Sequence, residues 1–229
     1  MEYRKYYLDS LYPLQDRFFE FLSQHNHGQF YLTGGTALSR FYHQHRFSED
    51  LDFFSITELG DFRDIVTKIL NDAKRSGFSL ETETISDHFF RVFVKNDDVR
   101  LKIDFVNEMA FHWGDVRPFP VFDCVDNQMN ILANKMTCIS RYEVKDIADI
   151  WALAKGLAFS WPEVMAIADK KSPVDPVEIS KIIKMMPQDE LKFVRWAFDA
   201  NIHDIHLDLQ KIAEDILLGR TNALSKKDA

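Results

Sequence analysis

The chain has 229 residues, of which 46% are hydrophobic and 28% charged, and its formal net charge is −8. This composition excludes a disordered or collagen-like protein. Apolar runs are too short for a membrane span of about 20 residues, and the N-terminus lacks the apolar core of a signal peptide. We therefore expect a cytoplasmic protein that begins at Met1 and does not bind membranes. The negative charge argues against a large non-specific nucleic-acid surface but allows a local basic pocket.

The first half of the chain alternates helix and strand patterns. Helical spacing of apolar residues predicts three helices, over residues 8–25, 36–45 and 59–76. Apolar and alternating runs predict five strands, at residues 29–32, 51–54, 78–85, 89–95 and 99–106. Turn residues at 96–98 predict that the last two strands form a hairpin. This order is typical of a mixed sheet backed by helices.

The second half of the chain has a different pattern. From about residue 126 onward, helical periodicity replaces the strand pattern and is interrupted at three prolines, Pro162, Pro173 and Pro187. We therefore predict an α+β chain of two domains. The first, residues 1–125, is a mixed sheet with helices, and the second, residues 126–229, is all helical.

A glycine pair follows the first predicted strand. Gly34 and Gly35 end that strand and open a short helix, which brings bare backbone close to a ligand and aims helix N–H groups at it. Such a turn suits a phosphate group. An ordinary tight connection between strand and helix is the alternative. The turn is neither a dinucleotide fingerprint nor a P-loop, because it lacks the third glycine and the Lys-Ser/Thr pair.

Three aspartates are candidate metal ligands. Asp50 and Asp52 lie two residues apart where the second predicted strand begins, so extended backbone would put their side chains on one face. Asp104 lies on the polar side of the last predicted strand, and it would join them if the two strands are neighbours. Three such carboxylates can hold two metal ions. The alternatives are a solvated edge strand for the first two, and for Asp104 a surface pair with Lys102 or Arg91.

A charged helix is predicted over residues 131–153. Arg141, Lys145 and Asp149 are spaced by four residues and are expected on one helix face, and Lys135 follows an apolar stripe. Spacing alone favours a solvated face with a Lys145–Asp149 pair. The eight histidines match no metal-ligand pattern and are interpreted as surface or core residues.

Together these motifs resemble a known family. The segments GGTALSRFY and RFSEDLDF resemble the glycine motif and Asp-x-Asp of nucleotidyltransferases related to DNA polymerase beta. A later strand aspartate and a lysine ahead of Arg-x-x-x-Lys-Asp-x-x-Asp make the set similar to the AbiEii/AbiGii toxin family of abortive-infection and toxin–antitoxin loci. The motifs run in the family's order from about residue 33 to residue 151.

The resemblance implies a nucleotidyltransferase-like first domain and a role for each matching residue. The implied catalytic residues are Asp50, Asp52, Asp104 and Lys135. The three aspartates would hold Mg²⁺, Asp104 would help to activate a hydroxyl, and Lys135 would meet the nucleotide phosphates. The residues implied to bind nucleotide are Gly34, Gly35, Thr36, Arg46, Ser48, Lys145, Asp146 and Asp149.

The resemblance also implies a reaction. A nucleoside monophosphate would move from an NTP to a hydroxyl of an acceptor such as tRNA or another RNA, with two Mg²⁺ ions and pyrophosphate as leaving group. The implied partner is an antitoxin protein. Two alternatives stay open. One is an inactive nucleotide-binding toxin component that acts through a partner, and the other is a transferase for a small molecule such as an aminoglycoside.

Overall fold

The computed structural model describes residues 2–26, 28–55, 60–108 and 111–225. The chain forms two compact units. The first unit is Met1–Ala37, Phe47–Met109 and Asp115–Asp126, and the second is Leu38–Arg46, Ala110–Gly114 and Asn127–Ala229. The predicted α+β class is confirmed, with a mixed sheet and helices followed by a helical C-terminal region. The predicted boundary between residues 125 and 126 stays a prediction.

The first two predicted helices of the N-terminal half begin earlier than the apolar spacing predicts, and the third, at residues 59–76, begins later, at Phe62. Helix α1 is Glu2–Tyr6, a π-helical turn is Tyr7–Leu11, and α2 is Tyr12–His25, with Pro13 directly after the π-helical turn. Next come α3, Gly34–Ala37, a second π-helical turn, Leu38–Tyr42, and α4, Phe62–Arg75. The helix predicted to end at residue 45 therefore ends at residue 42. Residue 59, the predicted start of α4, lies outside the described residues.

All five predicted strands are present. They are β1, Phe30–Thr33, β2, Leu51–Ser55, β3, Ser79–Ile85, β4, Phe89–Asn96, and β5, Val99–Val106. Their order in the sheet is β1-β2-β5-β4-β3, with β2 parallel to β5 and the other neighbours antiparallel. The predicted β4–β5 hairpin is confirmed, and its turn places Asp97 at φ 49°.

Helices α2 and α4 supply the aromatic core on one face of the sheet. Phe53 of β2 stacks on Phe105 of β5 with ring centroids 5.5 Å apart, and Phe19 of α2 packs edge-on against Phe53. Phe62 of α4 packs against Phe30 of β1. Because strand side chains alternate, this apolar face leaves the aspartates of β2 and β5 on the opposite face.

Strand β1 lies at an end of the sheet, and its outer edge is covered. The Asn26 side chain bonds both backbone groups of Phe30, donating to its carbonyl at 2.6 Å and accepting from its N–H at 2.8 Å. Leu32 bonds to the chain on the same edge through Cys124 and Asp126. Covering an edge in this way satisfies backbone groups that would otherwise need water or another chain.

The described residues of the second unit include five α-helices. They are α5, Gln128–Cys138, α6, Val144–Gly156, α7, Trp161–Lys171, α8, Pro176–Met185, and α9, Ile202–Leu217, with 3₁₀ turns at Ile139–Arg141 and Gln188–Phe193. Asn127, Asp175 and Asn201 cap α5, α8 and α9 with side-chain oxygens. Within the described ranges, no helix combines the length and apolarity that crossing a bilayer needs.

The prediction of one continuous helix over residues 131–153 is wrong. Tyr142 has φ 55°, a left-handed conformation that ends one helical segment before α6 begins. Arg141 therefore precedes α6 and does not share a helix face with Lys145 and Asp149. Lys145 is exposed whereas Asp149 is fully buried, so the pair expected on a solvated face is not formed there.

We predict that Asn26→Ala lowers the free energy of unfolding by about 2 kcal/mol, because two buried backbone groups of Phe30 lose their partner. Chemical denaturation measures the change. The matched control is Asn71→Ala at an exposed position of α4, which should change stability by less than about 0.5 kcal/mol. Equal effects of the two substitutions would contradict this account of the covered edge.

Candidate functional site

Three aspartates lie on one face of the sheet in the first unit. Asp52 and Asp104 are register partners on the neighbouring parallel strands β2 and β5, which lie about 4.8 Å apart. Asp50 lies just before β2 and not within it as predicted. Its side chain still lies on the side of Asp104, because its Oδ2 is 2.6 Å from Nζ of Lys102, which shares a face of β5 with Asp104. The sequence hypothesis required the strands of Asp52 and Asp104 to be neighbours, and they are.

Two cations from β4 and β5 balance this negative charge. Lys102 Nζ lies 2.6 Å from Asp50 Oδ2 and 3.8 Å from Asp104 Oδ2. Arg91 donates two hydrogen bonds to Asp104, from Nε to Oδ1 and from Nη2 to Oδ2, each 2.8 Å long. These bonds raise the pKa of Arg91. The alternative interpretation of Asp104 is a pair with Lys102 or Arg91, and Asp104 contacts both of them.

The carboxylates fit a divalent cation in donor type, because Mg²⁺ prefers oxygen ligands. In the part of the chain that the structure describes, however, no group of three or more His, Cys, Asp and Glu side chains is arranged to hold a metal ion. The metal-binding roles of Asp50, Asp52 and Asp104 therefore stay predictions.

The glycine turn lies directly against these aspartates. Gly34 has φ +72°, and a Cβ at this position would lie 2.8 Å from Asp52 Oδ2. Thr36 donates its hydroxyl hydrogen to the backbone carbonyl of Asp50. Only a residue without a side chain allows the turn to approach the carboxylate this closely, which gives a physical reason for glycine at position 34.

Asp126 is a buried residue that sequence analysis missed. Its Oδ2 accepts a 2.6 Å hydrogen bond from Thr33 Oγ1, and Thr33 is the register partner of Asp52 across β1 and β2. Its backbone N–H bonds to the Leu32 carbonyl. In the sequence, Asp126 lies at a predicted domain boundary, 93 positions from Thr33, and no spacing pattern relates the two residues.

A second cluster of charges is buried within the second unit, around Asp149. Arg46 forms a two-point ion pair with this carboxylate, at 2.7 and 2.8 Å. His45 Nε2 lies 2.8 Å from Asp149 Oδ1, and Lys135 Nζ lies 2.7 Å from Asp149 Oδ2. Burial alone would raise the pKa of Asp149, but Arg46 and Lys135 hold it well below its usual range.

Lys135 is held by two carboxylates of helix α6. Besides Asp149 it donates to Asp146, which also accepts a 3.2 Å bond from Arg141. Burial alone would lower the pKa of Lys135, but Asp149 and Asp146 raise it, so the side chain remains an ammonium ion. The structure thus joins four of the implied nucleotide-site residues in one network. Contact of any of them with nucleotide stays a prediction.

Two other implied residues are not part of this network. Lys145 is exposed, and Ser48 lies in the first unit, where its N–H donates to the Tyr12 hydroxyl at 3.3 Å. His45, by contrast, belongs to the network although sequence analysis interpreted the histidines only as surface or core residues. Its adjacency to Arg46 in the sequence was the one signal that could have indicated this.

Comparison with known proteins shows the family to which the chain belongs. A family model described as nucleotidyl transferase AbiEii toxin, type IV toxin–antitoxin system, matches residues 19–170. The chain belongs to the AbiEii family. It is therefore a nucleotidyltransferase of the toxin type, as the sequence motifs predict.

Solved structures share the fold of this AbiEii protein. JHP933 from Helicobacter pylori is 21% identical, with a TM-score of 0.64 over 90% of this chain and 92% of that one. MenT4, a nucleotidyltransferase toxin from Mycobacterium tuberculosis H37Rv, is 15% identical, with a TM-score of 0.57 over 90% and 83% of the two chains. A search of the curated proteins finds no match.

We predict that Gly34→Ala destabilises this AbiEii protein more than Gly28→Ala does. Both glycines have φ +72°, so each substitution incurs about 1 to 2 kcal/mol of left-handed strain. A Cβ at Gly28 would meet nothing within 4 Å, whereas one at Gly34 would meet Asp52. Chemical denaturation measures both variants. Equal losses would mean that the Asp52 carboxylate moves aside at no cost.

We also predict that acid weakens the second unit through His45. Burial outweighs the hydrogen bond to Asp149 and lowers the pKa of His45 below about 6.5. The unfolded chain therefore binds a proton below pH 6.5 that the folded chain does not, so stability should be full above that pH and fall below it. One such proton contributes a slope of up to about 1.4 kcal/mol per pH unit.

The variant His45→Gln keeps an N–H donor near Asp149 but cannot titrate, so unfolding measured from pH 7 to pH 5 should show a shallower loss. His203→Gln, at an exposed position of α9, is the matched control and should keep the wild-type slope. A wild-type slope in His45→Gln would show that other groups cause the acid sensitivity.

Proposed function

We propose that this protein transfers a nucleoside monophosphate from an NTP to a hydroxyl group of an RNA acceptor and releases pyrophosphate. One observation carries the proposal. Asp52 and Asp104 are side by side in register on the sheet face that also carries Asp50, and Gly34 lies against the Asp52 carboxylate. This arrangement combines acidic ligands with a backbone turn able to approach phosphate.

The chain's own residues supply binding and proton transfer. The turn at Gly34, Gly35 and Thr36 would offer backbone N–H groups to the triphosphate. The acceptor oxygen forms a bond to the α-phosphorus while the bond from that phosphorus to the bridging oxygen of the β-phosphate breaks. Asp104 accepts the proton of the attacking hydroxyl, and Asp50 and Asp52 face the triphosphate side. Holding the reacting groups together lowers the entropic cost of the reaction.

Asp50, Asp52 and Asp104 would hold Mg²⁺. When bound, the ion stabilises negative charge on the attacking and leaving oxygens. Lys102 and Arg91 supply positive charge to Asp50 and Asp104 and so keep the crowded acids together on one face. A bound ion would compete with them for the carboxylate oxygens. Two ions, as the resemblance implies, are within the capacity of three carboxylates.

The biological setting of the proposal follows the family. The type IV toxin–antitoxin description supports an antitoxin protein that opposes the activity. We propose a cytoplasmic site of action, where NTP and RNA are both present. The RNA acceptor, with tRNA as the first candidate, is part of the proposal.

The proposal predicts that purified protein with Mg²⁺, total RNA and an NTP labelled at the α-phosphate transfers label to RNA. Chelation of the metal should abolish transfer, and Asp52→Asn should reduce the rate by about two orders of magnitude or more. The matched control is Asp87→Asn, at an exposed turn between β3 and β4, which should keep the wild-type rate.

Other outcomes would decide between the alternatives. Transfer of label to a small hydroxyl compound but not to RNA would show that the acceptor is a small molecule. NTP binding without transfer to any acceptor would favour a binding component that acts through its partner. Transfer at the wild-type rate by Asp52→Asn would contradict the placement of the site.

A further inference from the structure

The segment that leads into Asp50 has no regular structure, and side chains hold its backbone. Residues 47–50 lie between the second π-helical turn and β2. The Ser48 N–H donates to the Tyr12 hydroxyl at 3.3 Å. The amide nitrogen Nε2 of Gln15 donates to two consecutive carbonyls, that of Ser48 at 3.3 Å and that of Glu49 at 3.1 Å. Helix α2 thus binds this segment at three backbone positions.

The Gln15 side chain contacts these carbonyls and is shielded from solvent. Its side chain is 0% exposed although glutamine is usually found at the surface. A buried amide needs hydrogen-bond partners, and both donors of Gln15 Nε2 can be used by adjacent carbonyls. A leucine or methionine would fill the same volume without polar atoms, so packing alone does not require glutamine at this position.

Aromatic rings of Tyr7 and Tyr12 also hold this stretch. Tyr7 stacks on Phe47 with ring centroids 4.7 Å apart, and its hydroxyl donates to Glu49 Oε1. Tyr12 packs on Phe47 at 5.9 Å. The segment before Asp50 is therefore held by stacking at Phe47 and by hydrogen bonds at the next two residues.

We infer that Gln15 is a positioning residue that, together with Tyr12, sets the location of the Asp50 carboxylate. This inference rests on the proposed function, in which Asp50 binds metal. Both residues precede the part of the chain that the family model matches, residues 19–170, so membership of the family assigns them no role.

The expected size of the effect follows from geometry. The Glu49 carbonyl bonded by Gln15 belongs to the peptide unit that joins Glu49 to Asp50, so a shift of this carbonyl moves the Asp50 backbone directly. Misplacement of a reacting group by about 1 Å can cost about 100-fold in rate. Loss of a group that orients a metal ligand typically costs about 10- to 100-fold in metal affinity or activity.

The test measures Mn²⁺ binding to the full chain by electron paramagnetic resonance, without NTP, and then transfer kinetics. Gln15→Met keeps the volume and removes both donors. We expect it to weaken Mn²⁺ binding about tenfold or more and to lower kcat more than it changes the KM for NTP. Tyr12→Phe should act in the same direction with a smaller effect, because the Tyr12 hydroxyl accepts from the Ser48 N–H, which lies further along the chain from Asp50 than the Glu49 carbonyl that Gln15 bonds.

Ser180→Ala is the matched control for stability. Ser180 of α8 is buried and donates to the Ala213 carbonyl at 2.7 Å, so this variant also loses a buried bond from a side chain to a backbone carbonyl. It belongs to the second unit, whereas the Asp50 segment belongs to the first. Its melting temperature should fall while its Mn²⁺ affinity stays at the wild-type value.

The outcomes separate this inference from the proposed function. If the wild-type protein binds no Mn²⁺, or if Asp50→Asn does not abolish the binding, the proposed metal site is wrong. Suppose instead that the wild-type protein binds Mn²⁺ and Asp50→Asn does not. If Gln15→Met then binds Mn²⁺ as tightly as the wild-type protein, the positioning role is overturned while the metal site stands. Should Gln15→Met not fold, Tyr12→Phe decides: weaker Mn²⁺ binding at an unchanged melting temperature supports the role, and wild-type binding overturns it.

Discussion

The parallel pairing of β2 with β5 is the constraint on which the candidate site depends. The register sets Phe53 opposite Phe105 and, one residue earlier on each strand, Asp52 opposite Asp104. A slip of one residue would turn the aspartate of the slipped strand into the core and its phenylalanine to the open face. Burial of the two phenylalanines therefore enforces the register, and through it the approach of the two carboxylates. Packing on one face of the sheet determines the chemistry of the other.

Both units contain carboxylates with cations beside them. In the first unit, Lys102 and Arg91 contact Asp50 and Asp104 at the partly open face of the sheet. In the second, Asp149 is fully buried, and removal of one partner from such a pair costs about 3 to 5 kcal/mol. The first cluster is only partly buried, since the Asp50 side chain is 32% exposed, whereas the second is better suited to holding helix α6 and its neighbours in place.

The sequence predicts what depends on local spacing and misses what depends on distant contacts. Alternation of apolar and polar residues along β5 correctly predicts the face on which Asp104 lies. The single helix over residues 131–153 failed because Tyr142 adopts a left-handed conformation, which tyrosine rarely does and which its identity does not indicate. The Arg46–Asp149 pair joins residues 103 positions apart, and no periodicity in either segment relates them.

The two aspartates of the Asp-x-Asp motif are held by different means, although only one residue separates them. Asp52 lies inside β2, between β1 and β5, so two backbone ladders fix its position. Asp50 lies just before the strand, where Thr36 bonds its carbonyl and side chains of α2 bond the two residues that precede it. Ladder bonds do not depend on side-chain identity, but these contacts do. Substitutions that spare the sheet can therefore move Asp50 alone, so the geometry of the acidic pair is adjustable at its N-terminal member.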